Sequence, residues 1–240
     1  MTFHPKAAAT ALLVLISALP AAQADSSRSD LDLRLAGTSG GGALASLDGA
    51  PGLLKGEVED GLGWGVRGRL VFAERWHLYG EWSTSNTSLR VTPTEAPGNT
   101  SAGVDSDFDL DRISIGLGYQ QPINDEWSWF GRLTWDLMEF GDFDQVVLPE
   151  SGPVTPVDLD DSGLGATVGV RWDKHDWALS AWARYTAVGE VVADERGNRF
   201  DNDLGGGLQL VYQFTDSLGL GVDYELNDID TWSVIFRYRF

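Results

Sequence analysis

Period-two alternation constrains this chain more than any other feature, and it is clearest between Thr231 and Phe240. Trp232, Val234, Phe236, Tyr238 and Phe240 take every second position, with Ser233, Arg237 and Arg239 between them and Ile235 the one apolar exception. Side chains at i, i+2 and i+4 share one face of a strand, so this segment carries an apolar face and a polar face. Such a strand must either bury its apolar face against a second sheet or turn it toward lipid.

The pattern recurs along the chain. Leu31, Leu33 and Leu35 alternate with Asp32 and Arg34, and Leu62, Trp64, Val66, Leu70 and Phe72 oppose Gly63, Gly65, Arg67 and Arg69. Trp76, Leu78, Gly80 and Trp82 face away from Tyr79, Glu81 and Ser83, and Ile113 to Tyr119 alternate with Arg112, Ser114, Gly116 and Gly118. Trp127 to Leu137, Leu164 to Trp172, Trp177 to Tyr185, Leu204 to Phe214 and Leu218 to Leu226 repeat it, which predicts ten strands, with eight strands plus extra loop hairpins as the alternative. Tight turns are expected at Ala73–Arg75, Asn124–Asp125, Asp173–Asp176 and Thr215–Ser217. Long loops are expected over Gly37–Gly56, Asn86–Asp107, Gly141–Asp158 and Val188–Asn202, where Gly, Pro, Ser, Thr and charged residues collect.

The aromatic residues sort into two levels on the apolar faces. Phe72, Trp76, Tyr119, Trp127, Trp172, Trp177, Phe214, Tyr238 and Phe240 sit beside the tight turns. Trp64, Trp82, Trp135, Tyr185, Tyr224 and Trp232 lie toward the loops. Some eight residues separate the levels within a strand, a rise of about 20 Å for a tilted strand, close to the apolar band about 25 Å tall of a barrel in a bilayer. A soluble sandwich gives no reason for tryptophan to occupy two levels.

The first 24 residues read as a secretory signal peptide. His4 and Lys6 precede an apolar run from Ala7 to Leu19, and Ala22-Gln23-Ala24 forms an A-x-A cleavage site. Residues 25–240 are then one domain. No cysteine is present, so neither disulfides nor thiolate metal sites can hold the fold. The formal charge is −19, and loss of Lys6 with the leader leaves −20, an unsuitable surface for nucleic acid.

With these features the mature chain resembles the small Gram-negative outer-membrane β-barrels of the OmpA-like and opacity-type group. The resemblance rests on Gly116-Leu117-Gly118-Tyr119, on Gly169-Val170-Arg171-Trp172 and on the closing Phe236-Arg237-Tyr238-Arg239-Phe240. It implies an all-β, transmembrane, antiparallel up-and-down barrel in the cell outer membrane, in contact with lipid and lipopolysaccharide. It also implies that the barrel-assembly machinery reads the last strand, through Trp232, Phe236, Tyr238 and Phe240. Relatives of this kind act as adhesins, resistance factors, envelope-stabilising proteins or narrow pores, and none of their functional residues maps onto a position here.

The inward faces are polar and charged. Arg67, Arg69, Arg112, Arg132, Arg171, Arg184, Arg237 and Arg239 are expected to face Asp32, Glu59, Glu81, Asp136, Asp223 and Glu225 across the lumen. A hairpin centred on Glu74 pairs Arg67 with Glu81. Arg67, Glu81, Arg132, Asp136, Asp223 and Arg237 are the main candidates for ion pairs that plug a narrow barrel, since small barrels are filled by their own side chains. The alternative is a narrow pore lined by selectivity charges. Acidic clusters at Asp105–Asp111, Asp158–Asp161, Asp201–Asp203 and Asp228–Asp230 lack the EF-hand pattern and read as solvated loop acids, or as acids bridged to lipopolysaccharide by divalent ions, so no protein-held metal or cofactor is expected. His77 and His175 fall at tight turns as ordinary interfacial residues, and no catalytic constellation converges, so an enzyme is not expected. The resulting expectation is a structural or surface-interaction role carried by long acidic loops.

Overall fold

The computed structural model describes residues 28–40, 43–45, 54–58, 61–93, 104–140, 147–148, 152–153, 161–188, 204–226 and 229–240. The leader, Glu59 and the acidic residues Asp158, Asp160, Asp201, Asp203 and Asp228 lie outside them. Ten strands make the barrel: β1 (Asp30–Gly40), β2 (Gly61–Val71), β3 (Trp76–Pro93), β4 (Val104–Pro122) and β5 (Trp127–Phe140), then β6 (Asp161–Lys174), β7 (Trp177–Thr186), β8 (Leu204–Gln213), β9 (Leu218–Leu226) and β10 (Ile229–Arg239). Each pairs antiparallel with the next, and β10 pairs with β1 from Asp30↔Arg239 to Gly40↔Ile229, closing the sheet on itself. The strand number is therefore ten. The first strand takes a full place, paired with β2 on one side and β10 on the other.

Closure removes every edge within the barrel, so each backbone N–H and C=O of the wall finds a partner without water. Ser29 and Phe240 continue the seam by exchanging backbone hydrogen bonds of 3.0 and 3.1 Å. The tight turns at 72–75, 123–126, 175–176 and 214–217 all lie at the end that holds this seam. Asn124 caps one of them, its side-chain oxygen accepting from Glu126 and Trp127 N–H at 3.0 and 2.8 Å. Thr215 does the same for Leu218 at 2.9 Å.

The interior and exterior are inverted relative to a soluble protein. Leu35, Leu62, Leu133, Leu164 and Leu204 are each more than 60% exposed, whereas Asp32, Glu81, Asp136, Asp223 and Arg237 are all below 5%. An apolar surface of that extent needs a covering of low polarity, and a continuous ring around the wall fits lipid. The outward aromatics meet at two heights. Trp76, Tyr119 and Trp129 pack near the tight turns, with centroids 5.0 and 5.7 Å apart, as do Trp177 and Tyr212 at 4.8 Å. Trp64 and Trp82 meet edge to face at 4.6 Å toward the other end.

The sequence reading of the long loops needs correction. β3 and β4 run well into the segment 86–107 and stay paired from Trp76↔Tyr119 to Val91↔Val104. Residues 54–58 pair with the far end of β3, and 43–45 pair with 54–58, within a stretch also expected to be loop. A two-residue pairing of 147–148 with 152–153 lies inside a third. The physical reason lies in Thr87, Ser88, Val91 and Thr92: hydroxyl-rich segments resemble loops in composition, yet Thr and Val suit strands. An 18-residue strand tilted by about 40° rises about 45 Å, so about 20 Å of the β3–β4 hairpin stands clear of an apolar band about 25 Å tall.

The lumen as candidate functional site

Alternation sends one side chain in two from every strand into the lumen, and the hairpin registers fix which ones meet. The β2–β3 hairpin places Arg67 opposite Glu81, and their side chains form an ion pair of 3.1 Å. The pair belongs to a larger array at mid-height. Arg67 also bonds Asp223 at 2.8 Å and the Glu225 carboxylate of β9. Arg34 from β1 reaches the same three acids, donating to Glu81, to Glu225 at 3.1 Å and lying 3.0 Å from Asp223. Its Nε and Nη2 also donate to Ser233 Oγ at 3.2 and 3.1 Å, and Tyr79 O–H donates to the second Glu81 oxygen. Two guanidinium groups from β1 and β2 thus lie among three carboxylates contributed by β3 and β9, all within the five contiguous strands β9-β10-β1-β2-β3.

A second group sits nearer the tight turns. Arg237 grips Asp32 with two bonds of 2.6 and 2.7 Å across the β10–β1 seam and donates to Gln209 at 2.8 Å. Arg69 bonds Asp30 at 2.7 Å and Gln120 at 2.6 Å. On the opposite wall Asp136 accepts from Arg184 at 2.9 Å and from Thr186 at 2.9 Å. The remaining lumen is filled by bulk. Val211 and Ile235 are fully buried, Phe130 is 4% exposed, and the Trp182 ring lies so close over Gly207 that a Cβ there would meet it at 2.4 Å.

The six candidates therefore do not form one set. Arg67, Glu81 and Asp223 share the mid-height array, Arg237 pairs with Asp32, and Asp136 pairs with Arg184. Arg132 stands apart, its guanidinium stacked over the rings of Tyr79 and Phe130 at 4.5 and 4.6 Å. Arg34 was absent from the expected lumen set, although its place on the polar face of β1 carried the signal; Asp30 and Tyr79 were missed in the same way. His77 also corrects the sequence reading. With Trp76 outward, His77 turns inward and is 2% exposed, with Gly118 beneath its ring. His175 occupies the 175–176 turn with φ of 52°, in the left-handed region such a turn demands. Trp232, Phe236, Tyr238 and Phe240 all point outward, between 38 and 50% exposed.

Two small cavities lie along the lumen. The lumen between the mid-height array and the tight turns holds a space of about 50 Å³, enough for a few water molecules. A second space of about 50 Å³ lies on the other side of the array, beside Arg112 and Thr231.

The chain aligns with the translocator domain of the autotransporter NalP from Neisseria meningitidis at a TM-score of 0.50, covering 99% of this chain and 96% of that one. The fold is that of an outer-membrane β-barrel. Sequence identity in that alignment is 13%, so the likeness is one of architecture. The outer membrane protein OprG from Pseudomonas aeruginosa aligns at 15% identity and a TM-score of 0.47 over 88% of this chain and 96% of its own. Ail, the attachment invasion locus protein of Yersinia pestis, aligns at 14% and 0.40 over 89% and 98%. No protein-family model and no curated protein matches the sequence.

Proposed function

We propose that this outer-membrane-type barrel resides in the outer membrane of a Gram-negative cell, with its lumen closed, and acts through the surface it presents outside. The carrying observation is the mid-height array. Arg34 and Arg67 bridge to Glu81 on β3 and to Asp223 and Glu225 on β9, and this array stands between the two small cavities of the lumen. Charges of both signs locked to each other offer no net field along an axis for a permeating ion to follow. The two aromatic levels and the apolar wall between them support the membrane location, with the tight turns periplasmic and the β3–β4 hairpin extracellular. That hairpin, with 54–58 and 43–45 paired beside it, is an extended paired platform outside the bilayer, and it supports a surface-interaction role. The outward Trp232, Phe236, Tyr238 and Phe240 suit recognition of the last strand by the assembly machinery.

Planar bilayers test the closure. Refolded protein is expected to give no discrete conductance steps, and the double variant Arg34→Ala/Arg67→Ala is expected to give them. Steps from the unaltered protein would overturn the closed-lumen reading. Deleting residues 88–107 should abolish surface interactions while leaving a heat-modifiable barrel; an envelope phenotype indifferent to that deletion would overturn the role of the platform.

A further inference from the structure

Charge is not evenly spread along the lumen. On the tight-turn side of the mid-height array, Arg69, Arg132, Arg171, Arg237 and Arg239 come together with Asp30, Asp32 and Asp173, and the cavity there is also bounded by Glu81 and Glu225, which Arg34 and Arg67 already engage. Each aspartate is claimed by one arginine: Asp30 by Arg69 at 2.7 Å, Asp32 by Arg237 at 2.6 Å, and Asp173 by Arg171 at 2.7 Å. Arg132 and Arg239 have no carboxylate within ion-pair distance among the described residues. Arg132 has only the faces of Tyr79 and Phe130.

Buried donors accumulate at the same place. Arg132 Nε, Arg69 Nε and Arg237 Nη1 are shielded from solvent and lack a hydrogen-bond partner among the described residues, as does His77 Nε2. Arg237 is 3% and His77 2% exposed, so these are buried groups and not frayed ends. All four residues line the cavity of about 50 Å³, together with Asp30, Gln120 and Ser180. A buried N–H without an acceptor costs about 1–3 kcal/mol, more when the group is charged. Water can satisfy such groups one by one, but a cavity with surplus guanidinium charge in a low-dielectric wall favours an acceptor that carries negative charge.

We infer that the lumen between the mid-height array and the tight turns is a binding site for a small oxyanion of the phosphate or sulfate class, held by Arg132 with Arg69, Arg237 and His77. The guanidinium donors match tetrahedral oxygens in geometry as well as charge. Gly118 is part of the design. A Cβ at that position would lie 2.1 Å from His77 Nε2, so the glycine alone lets the ring sit back from the cavity. The inference rests on the closed-lumen reading for one point only, that the anion enters from the tight-turn side.

Isothermal titration of the refolded barrel in detergent with inorganic phosphate and with sulfate, against chloride at equal ionic strength, provides the test. Saturable one-site binding of either oxyanion, absent with chloride, is expected, with a rise in the thermal midpoint. Arg132→Gln should weaken it by about tenfold or more, the loss of one charged hydrogen-bonding partner. Gly118→Ala, which touches no charge but crowds His77 into the cavity, should weaken it too. Arg75→Gln removes a positive charge from an exposed turn and should leave binding unchanged. No oxyanion-specific heat or stabilisation in the unaltered protein would overturn the site, as would an Arg132→Gln barrel that folds and binds equally well. A barrel that conducts yet binds phosphate would remove the closed lumen and keep the site.

Discussion

Replacing Arg67 by Met removes one of the two cations from the mid-height array while keeping most of the side chain's volume. Glu81, Asp223 and Glu225 would then face Arg34 alone. Each ion pair near 3 Å is worth about 5 kcal/mol of attraction at an effective dielectric of about 20, most of it offset by the cost of desolvation. The net effect of deleting one partner from a buried array is a loss of about 3–5 kcal/mol, because the remaining charges stay buried. Urea unfolding of the barrel in lipid vesicles, followed by tryptophan emission, measures this directly. The midpoint should fall with little change in slope, since the surface exposed on unfolding is the same. Arg67→Lys should recover only part of the loss, as an ammonium cannot span three carboxylates with a planar fork. Combining Arg67→Met with Glu81→Gln should cost less than the two changes summed, with a coupling of about 1–3 kcal/mol. If Arg67→Met stays within about 0.5 kcal/mol of the unaltered protein, the array is hydrated and screened and does not close the lumen.

Three further outcomes are expected. Asp32→Asn strips Arg237 of its bidentate partner at the seam and should cost about 3 kcal/mol, with faster hydrogen exchange confined to β1 and β10; uniform exchange rates would contradict a seam-specific role. Gly37→Ala would place a Cβ 2.5 Å from the Trp232 ring, so quenching of that tryptophan by brominated lipid should change and stability drop by about 1 kcal/mol or more. At the 123–126 turn, the Lys174 ammonium at 2.9 Å and the Trp172 indole N–H at 3.1 Å both bond the Glu126 carboxylate and hold its pKa below the ordinary glutamate value. A lowered carboxyl pKa contributes order that is present above the unfolded-state pKa and lost as pH falls through the folded one. NMR titration should therefore show Glu126 ionising at lower pH in the barrel than in Lys174→Met.

Much of this architecture was legible in the sequence because alternation is a local property. Each strand's two faces, the tight turns and the two aromatic levels follow from residue order, and so does the Arg67–Glu81 pair, which needs only the register of one hairpin. Following the same alternation one residue at a time would also have turned His77 inward. The loops were harder, since pairing of 54–58 with the end of β3 depends on a segment more than thirty residues away and not on its own composition.

The sequence by itself determined the strands and the inverted distribution of polar and apolar residues. It could not determine which inward charges meet. Arg67 reaches Asp223 across 156 positions and Arg34 reaches Glu225 across 191, contacts that exist only once ten strands close with one stagger. Closure also decided the imbalance near the tight turns, where three aspartates are consumed by three arginines and Arg132 is left with aromatic faces alone. Alternation acts over two residues, whereas a lumen is the sum of ten strands at one height, and only the closed barrel sets that height.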